Sequence, residues 1–259
     1  MKRDDRQQAI MELLVLQGEV GLEELANRFA VSKMTIHRDL DELEGHGLIR
    51  KIRGGATIES GTQFESDFRF RERQGQDVKA AMAEAALALV EPGMTVMIND
   101  GSMAAVLGER LVEKRPLTVI TNNAAVMEAL RLDTGITLIA LGGTFSPKFN
   151  AFFGSLAEAG LARLRADISF ISSPAVSGLE VFHMDDSVVR AKRAMMASGT
   201  RRCLLVNHTR FDRTALHKLA DLDEFDFIIT DKAPSQTALH ALESAGLTLT
   251  VAEHRETLS

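Results

Sequence analysis

The chain has 259 residues, 45% hydrophobic, 25% charged and 5% aromatic, an ordinary globular composition that excludes a disordered, collagen-like or fibrous protein. Its 30 Lys and Arg against 36 Asp and Glu leave a net charge of −6, so no global basic field holds nucleic acid and any such grip has to be local. The single cysteine, Cys203, excludes an internal disulfide; with no apolar export segment in the opening MKRDDRQQAI, the expectation is a reducing cytoplasm. No stretch approaches the roughly 18 uninterrupted apolar residues of a membrane span, so no membrane partner is expected.

The length suits two domains of unequal size, and the sequence changes character near residue 59. The expected division is 1–58, a polar linker over 59–78 with a helical stretch around Phe68 to Arg73, and 79–259. The first part carries 9 basic and 10 acidic residues (−1) and the remainder 21 and 26 (−5), so neither is basic overall.

Within the first part, Ile10, Leu13, Leu14 and Leu16 follow helical spacing and Gly18 ends that helix. Leu22, Leu25, Ala26 and Phe29 mark a second short helix. Ser32 is placed to cap a third, which carries Ile36, Leu40 and Leu43 on its apolar face. The opposite face begins with Lys33, Thr35, His37 and Arg38. The run 48–58 then reads as two short strands around a Gly-Gly turn, with Arg50, Lys51, Arg53, Gly54 and Gly55 in the hairpin and no acidic residue. Three helices and a hairpin make a winged helix-turn-helix. Small polar and basic residues in the first turns of the third helix suit base edges in a DNA major groove, and the basic hairpin suits phosphates. A small helical domain in which Arg38 merely pairs with Asp41 or Glu42 accounts for the helices but not for a basic wing directly after them.

In the second part, β-rich apolar runs at 95–98, 117–120, 137–141, 168–171, 203–206, 225–229 and 247–251 alternate with helical patterns at 79–90, 103–113, 123–132, 156–164, 187–197 and 236–245. Alternation of this kind predicts a mainly parallel α/β sheet covered on both faces. Ligands of such sheets bind outside the carboxyl ends of the strands. The residues just past the runs are polar: Asn99, Asp100, Gly101 and Ser102; Thr121, Asn122 and Asn123; Gly142, Gly143 and Thr144; Ser172 and Ser173; Asn207 to Arg210; Thr230 and Asp231. Turn and capping chemistry explains about half of that pattern. The rest, with Arg210, Lys148 and Lys192 nearby, fits a phosphate or other small anion at a helix start.

The string Val31 to Leu40 (VSKMTIHRDL), followed by Leu43, Gly47-Leu48-Ile49 and Arg53-Gly54-Gly55-Ala56, resembles the signature of the DeoR family of bacterial transcription regulators. The second part resembles the family's effector domain, in the fold shared with ribose-5-phosphate isomerases and CoA transferases: Asn99 to Met103 matches a D-x-G-T-T loop, Thr121-Asn122 a T-N turn, Gly142-Gly143 a G-G turn, Ala191 to Met195 a V-K-R-A-M helix and Asn207 to Phe211 a D-x-S-K-F run. The resemblance implies an operator-binding regulator, a repressor of a carbohydrate catabolic operon, whose turns surround a phosphorylated sugar or related metabolite. It departs at His37 for Arg, Asn99 and Asn207 for Asp, Ser102 and Met103 for two Thr, and Arg210 for Lys. The pocket is less negative than usual for the family, and the Arg fork replaces a point charge. The implied partners are a double-stranded operator, an anionic sugar derivative and further copies of the chain, as a homodimer or homotetramer, because one winged helix buries too little surface for high specificity.

No cofactor, metal site or catalytic residue is expected. His183, Asp185 and Asp186 lack a companion ligand cluster, and helix capping explains the two aspartates. Cys203 lies inside an apolar run and reads as an inert core residue. The rival reading is a sugar-phosphate isomerase or CoA transferase carrying a DNA module, with Asp100, Asp185 or Asp231 as base, though no paired acid and base singles one out. A blander alternative makes the second domain a dimerisation scaffold.

Overall fold

A computed structural model of the chain describes residues 2–45, 48–57 and 68–252. Gly47, Ile58 and the linker residues 59–67 lie outside the described residues, as does the side chain of Leu16. The chain divides into two compact units, Met1–Arg71 and Glu72–Ser259.

In the first unit, helix α1 (Arg3–Gln17) ends where Gly18 takes φ +78° and its N–H bonds Leu14 O at 2.8 Å. Strand β1 (Glu19–Gly21) leads directly into α2 (Leu22–Phe29), and α3 (Lys33–Gly45) follows. Ser32 Oγ accepts from Thr35 N at 3.1 Å, the cap anticipated for α3. Strands β2 (Arg50–Ile52) and β3 (Gly55–Thr57) form the wing, but in a three-stranded antiparallel sheet of order β1-β3-β2 rather than a lone hairpin. β1 was not anticipated: three residues between Gly18 and Leu22 are too few to show a period of two. Ile10, Leu14, Leu25, Ile36 and Leu40 are buried in one core with Val20 and Ala56 from the sheet. Each large side chain so buried contributes about 1.5–3 kcal/mol.

The sheet also corrects the reading of the wing glycines. The turn lies at Arg53-Gly54, where Gly54 has φ +87°. Gly55 is a buried strand residue, and a Cβ on it would stand 2.3 Å from Val20 O. Gly55 is therefore required by the close approach of β1 and β3, which places it away from the exposed edge of the wing.

Helix α4 (Phe68–Arg73) is the helix expected within the linker, and α5 (Gln76–Leu87) begins earlier than the expected 79. β4 (Thr95–Ile98), α6 (Ser102–Arg110), β5 (Leu117–Thr121), α7 (Ala124–Leu130) and β6 (Ile136–Ala140) build one half of the sheet. The hairpin β7 (Thr144–Ser146) and β8 (Ala151–Phe153) and helix α8 (Ser155–Leu161) precede β9 (Ala166–Ser172). β10 (Ala175–Ser177), β11 (Glu180–His183), α9 (Asp186–Ser198), β12 (Gly199–Leu205), β13 (His217–Asp221), β14 (Phe227–Thr230), α10 (Gln236–Ser244) and β15 (Leu249–Val251) complete the unit.

Seven strands pair in parallel in the order β15-β14-β12-β9-β4-β5-β6. All seven expected runs contribute, and the expected parallel architecture is observed. One core, with Val96, Leu107 and Phe170, and another, with Met97, Ile171, Leu204 and Met195, reflect alternate residues of the strands pointing to opposite faces. The chain leaves β4 in one direction through β5 and β6 and returns to grow the other way from β9, so the topological switch lies between β4 and β9. β7-β8 and the antiparallel β10-β11-β13 sheet were not anticipated. Their strands are only three to five residues long, too short for a period of two to stand out from the surrounding loops.

Candidate functional sites

On α3, Ile36, Asp39, Leu40 and Leu43 are buried, so 3.6-residue periodicity turns Met34, His37 and Arg38 outward. Arg6 of α1 grips Asp39 from the buried side with Nε to Oδ2 at 2.6 Å and Nη2 to Oδ1 at 3.1 Å. The carboxylates that could neutralise Arg38 are engaged elsewhere. Asp41 pairs with Lys51, while Glu42 accepts from Gln7 Nε2 at 3.0 Å and lies 3.3 Å from Arg3. Lys33 pairs with Glu23 of α2. Lys51 ties the wing to α3 through Asp41, and its backbone N donates to Glu44 Oε1 at 2.7 Å. The Asp41 partnership raises the Lys51 ammonium above its ordinary pKa, and Lys51 holds the Asp41 carboxyl below its own. Arg50, Arg53 and Gly54 are exposed on the wing. Of the sequence-predicted set, His37, Arg38, Arg50 and Arg53 are thus presented to solvent. Ser32 is engaged as the helix cap, and Thr35 Oγ1 lies 2.9 Å from Ser32 Oγ.

In the second unit, the polar residues past β4, β5 and β9 converge at the switch point. Asn99 is fully buried; its Nδ2 donates to Ser172 Oγ at 3.3 Å and its Oδ1 accepts from Ser172 N at 3.2 Å. Lys192 of α9 is 2% exposed, donates to Ser172 O at 2.8 Å and lies 3.5 Å from the buried Asp100 carboxylate. The two side chains face one another out of water, where an opposite partner offsets part of the cost of burying each. Thr121 Oγ1 donates to Ile98 O at 2.8 Å and accepts from Asn123 N at 3.0 Å. Asn123 caps α7, and its Nδ2 reaches Gly101 O at 3.1 Å and Asn99 O at 3.3 Å. Gly101 has φ +107° and precedes the first residue of α6, Ser102, which is buried.

Asn122 Nδ2 donates to Phe152 O at 3.0 Å, which sets the amide's orientation. Its Oδ1 is buried with no hydrogen-bond partner. A second group sits past β12 and β14. Asp231 accepts from His208 N and from His208 Nδ1, each at 2.7 Å, and Asn207 Oδ1 accepts from Thr209 N at 2.9 Å. Arg210 follows on the same turn and is half-buried. Gly142 is exposed past Leu141, whereas a Cβ on Gly143 would stand 2.3 Å from Phe153 O. Gly143 thus serves the β7-β8 hairpin. Lys148, in the hairpin turn, lies 5.3 Å over the Phe149 ring.

The structure brings Asn99, Asp100, Gly101, Thr121 and Lys192 into one network bonded through Asn123 and Ser172, leaves Asn122 bonded to Phe152 instead, and groups Asn207 with Arg210 in another. Sequence reasoning passed over Asn123, Ser172 and the His208–Asp231 pair as site members. Asn123 and Ser172 were visible only as loop residues, because their roles depend on strands that are distant in the chain. Asp185 caps α9 through Ser187 N at 3.0 Å and Val188 N at 3.2 Å, the role expected of it. Among the described residues no cluster of His, Cys, Asp and Glu could hold a metal ion. No helix among them is long and apolar enough to cross a membrane.

A winged helix-turn-helix joined to a parallel α/β unit with a polar carboxyl edge defines a transcription regulator with a separate sensor part. The profile described as "DeoR-like helix-turn-helix domain" matches residues 6–62, and that described as "DeoR C terminal sensor domain" matches residues 74–232. The chain belongs to the DeoR family. It is 30% identical over 250 residues to the "Uncharacterized HTH-type transcriptional regulator YgbI" of Escherichia coli (strain K12), covering 96% of this chain and 98% of that one. It is 27% identical over 246 residues to the "Glycerol-3-phosphate regulon repressor" of the same strain, covering 93% and 96%. Among solved structures, ribose 5-phosphate isomerase A of Methanocaldococcus jannaschii is 18% identical with a TM-score of 0.38, over 53% of this chain and 55% of that one, a distance at which no activity transfers. The chain is a DNA-binding transcriptional regulator, and its relatives are regulators rather than enzymes.

Proposed function

We propose that this regulator represses a carbohydrate catabolic operon and is controlled by a small phosphorylated, or otherwise anionic, sugar derivative held at the carboxyl edge of the seven-stranded sheet. The observation that carries the proposal is the Lys192–Asp100–Ser172–Asn99 network at the switch between β4 and β9, where an open parallel sheet takes its ligand. That network positions Gly101 and Ser102 at the start of α6, whose backbone N–H groups suit an anion. Asn122 Oδ1 suits a hydroxyl donor, and Arg210 supplies a planar cation. Relatives named "Glycerol-3-phosphate regulon repressor" and "Putative aga operon transcriptional repressor" support the effector class.

In this reading His37 and Arg38 meet base edges, with Lys33 and Thr35 beside them, while Arg50, Lys51, Arg53 and Gly54 meet phosphates. Functionally, residues 1–58 bind the operator, 59–78 transmit, and 79–259 sense the effector and assemble the homodimer or homotetramer in the cytoplasm. An effector shifts operator affinity only by as much as its binding differs between the two arrangements.

The test is a thermal-shift titration of the full chain with sugar phosphates, polyol phosphates and sulfonated sugars, paired with binding to its own promoter DNA. One compound is expected to raise Tm and to change operator affinity. Operator binding with no compound raising Tm overturns the sensor part. Weak, sequence-blind attachment that salt erases overturns the operator part.

A further inference from the structure

The exposed face of α3 carries three different chemistries at positions i, i+3 and i+4: a thioether at Met34, an imidazole at His37 and a guanidinium at Arg38. The neighbouring polar groups are satisfied within the protein. Ser32 and Thr35 bond each other, Lys33 pairs with Glu23, and Asp41, one turn further along, pairs with Lys51. Met34 is 62% exposed, and among the described residues of the first unit it is the one large hydrophobic side chain left in water. Single exposed apolar residues are common on protein surfaces. This one, however, is continuous with His37 and Arg38, in the first two turns of the helix that enters the groove. A duplex offers one apolar group among its major-groove base edges, the C5 methyl of thymine.

We infer that Met34 reads a thymine in each operator half-site by packing its side chain against the C5 methyl. The inference rests on the reading of α3 as the recognition helix. Met34 then covers an apolar spot while Arg38 takes its bidentate partner from a neighbouring base pair. The half-site therefore carries a required thymine that no hydrogen-bond pattern accounts for.

The experiment selects binding sites from a randomised duplex pool with the full-length protein. Each dT of the selected site is then replaced by dU, which removes the methyl and nothing else. Met34→Gln is compared with the wild type because it keeps side-chain length and helix preference at an exposed position, and equal melting curves verify its fold. At one thymine per half-site, dU is expected to weaken wild-type binding about four-fold, the worth of one buried methyl group. Met34→Gln is expected to bind the dT and dU duplexes equally there. A wild type indifferent to dU at each thymine overturns the inference, as does a Met34→Gln protein that still loses as much as the wild type. If the wild type enriches no sequence at all, the operator-reading role of α3 falls and takes the inference with it.

Discussion

Arg6 Nε donates to Asp39 Oδ2 at 2.6 Å, and Arg6 Nη2 donates to Asp39 Oδ1 at 3.1 Å, so a two-pronged ion pair clamps α1 to the inner side of α3. The side chains of Arg6 and Asp39 are 10% and 2% exposed. Hydrogen bonding to Asp39 raises the Arg6 pKa above its already high ordinary value, so the guanidinium keeps its charge. The clamp holds the inner side of α3 at Asp39, the residue next to the outward-facing Arg38. Removing one partner strands a buried charge, whereas replacing both with apolar groups need not. Asp39→Ala is expected to destabilise the winged helix by about 3–5 kcal/mol in urea unfolding. The double change Arg6→Leu with Asp39→Leu should recover most of that loss. A single variant as stable as the wild type would show that the pair carries no structural weight.

Gly55→Ala places a methyl where Val20 O stands, at 2.3 Å. Backbone cannot give way as a flexible side chain does, so β1 must part from β3. The expected cost is about 1–3 kcal/mol. Weaker operator binding should accompany it, because the wing is displaced. Gly54→Ala provides the contrast: its Cβ meets open space, and the strain comes only from φ +87°. Paired thermal melts separate the two effects.

Arg38→Ala should cost about 1–3 kcal/mol of operator affinity and relax discrimination at one base pair. Arg53→Ala on the wing should weaken binding uniformly across sequences and lower the slope of log K against log salt by about one ion. Titrations on selected and scrambled duplexes at several salt concentrations check both. An Arg38→Ala protein that keeps full discrimination removes that residue from base contact.

Arg210→Ala is expected to abolish the effector-dependent change in operator affinity and leave operator binding itself intact. The check is the same binding assay with and without the compound that raises Tm. An unchanged response would take Arg210 out of the anion site and point to Lys148 or the start of α6 instead.

Cys203 is fully buried in β12, and burial raises its thiol pKa well above the ordinary value. A neutral buried thiol contributes stability that is fully present below the unfolded thiol pKa, about 8.5, and declines above it as the unfolded chain ionises. Labelling by a thiol reagent at pH 8 should therefore track global unfolding in urea, and native protein should stay unlabelled for hours. Rapid labelling of native protein would contradict the packing of β12.

Much of this architecture was legible in the sequence because its signals are local. The apolar stripe Ile36, Leu40 and Leu43, the cap at Ser32 and the basic run through Arg53 each follow from a few adjacent residues. The central parallel strands announced themselves as continuous apolar runs because both their faces are buried, and the edge strands β6 and β15, though partly exposed, kept enough apolar residues to be read with them. The polar ends of those strands were legible for the same reason, as breaks in apolar runs.

What the chain by itself determined is the inventory: a recognition helix, a basic wing, seven core strands and a set of polar strand ends. Only the tertiary structure decided which of those polar residues meet. Asn99 finds Ser172, Asp100 finds Lys192, and His208 finds Asp231 across separations of 73, 92 and 23 positions, counted as 172 − 99, 192 − 100 and 231 − 208. β1 and the Gly55 contact with Val20 belong to the same class. Hydrogen bonds and steric approach act over a few ångströms in space, and their partners are set by strand order and register, which no stretch of adjacent residues encodes.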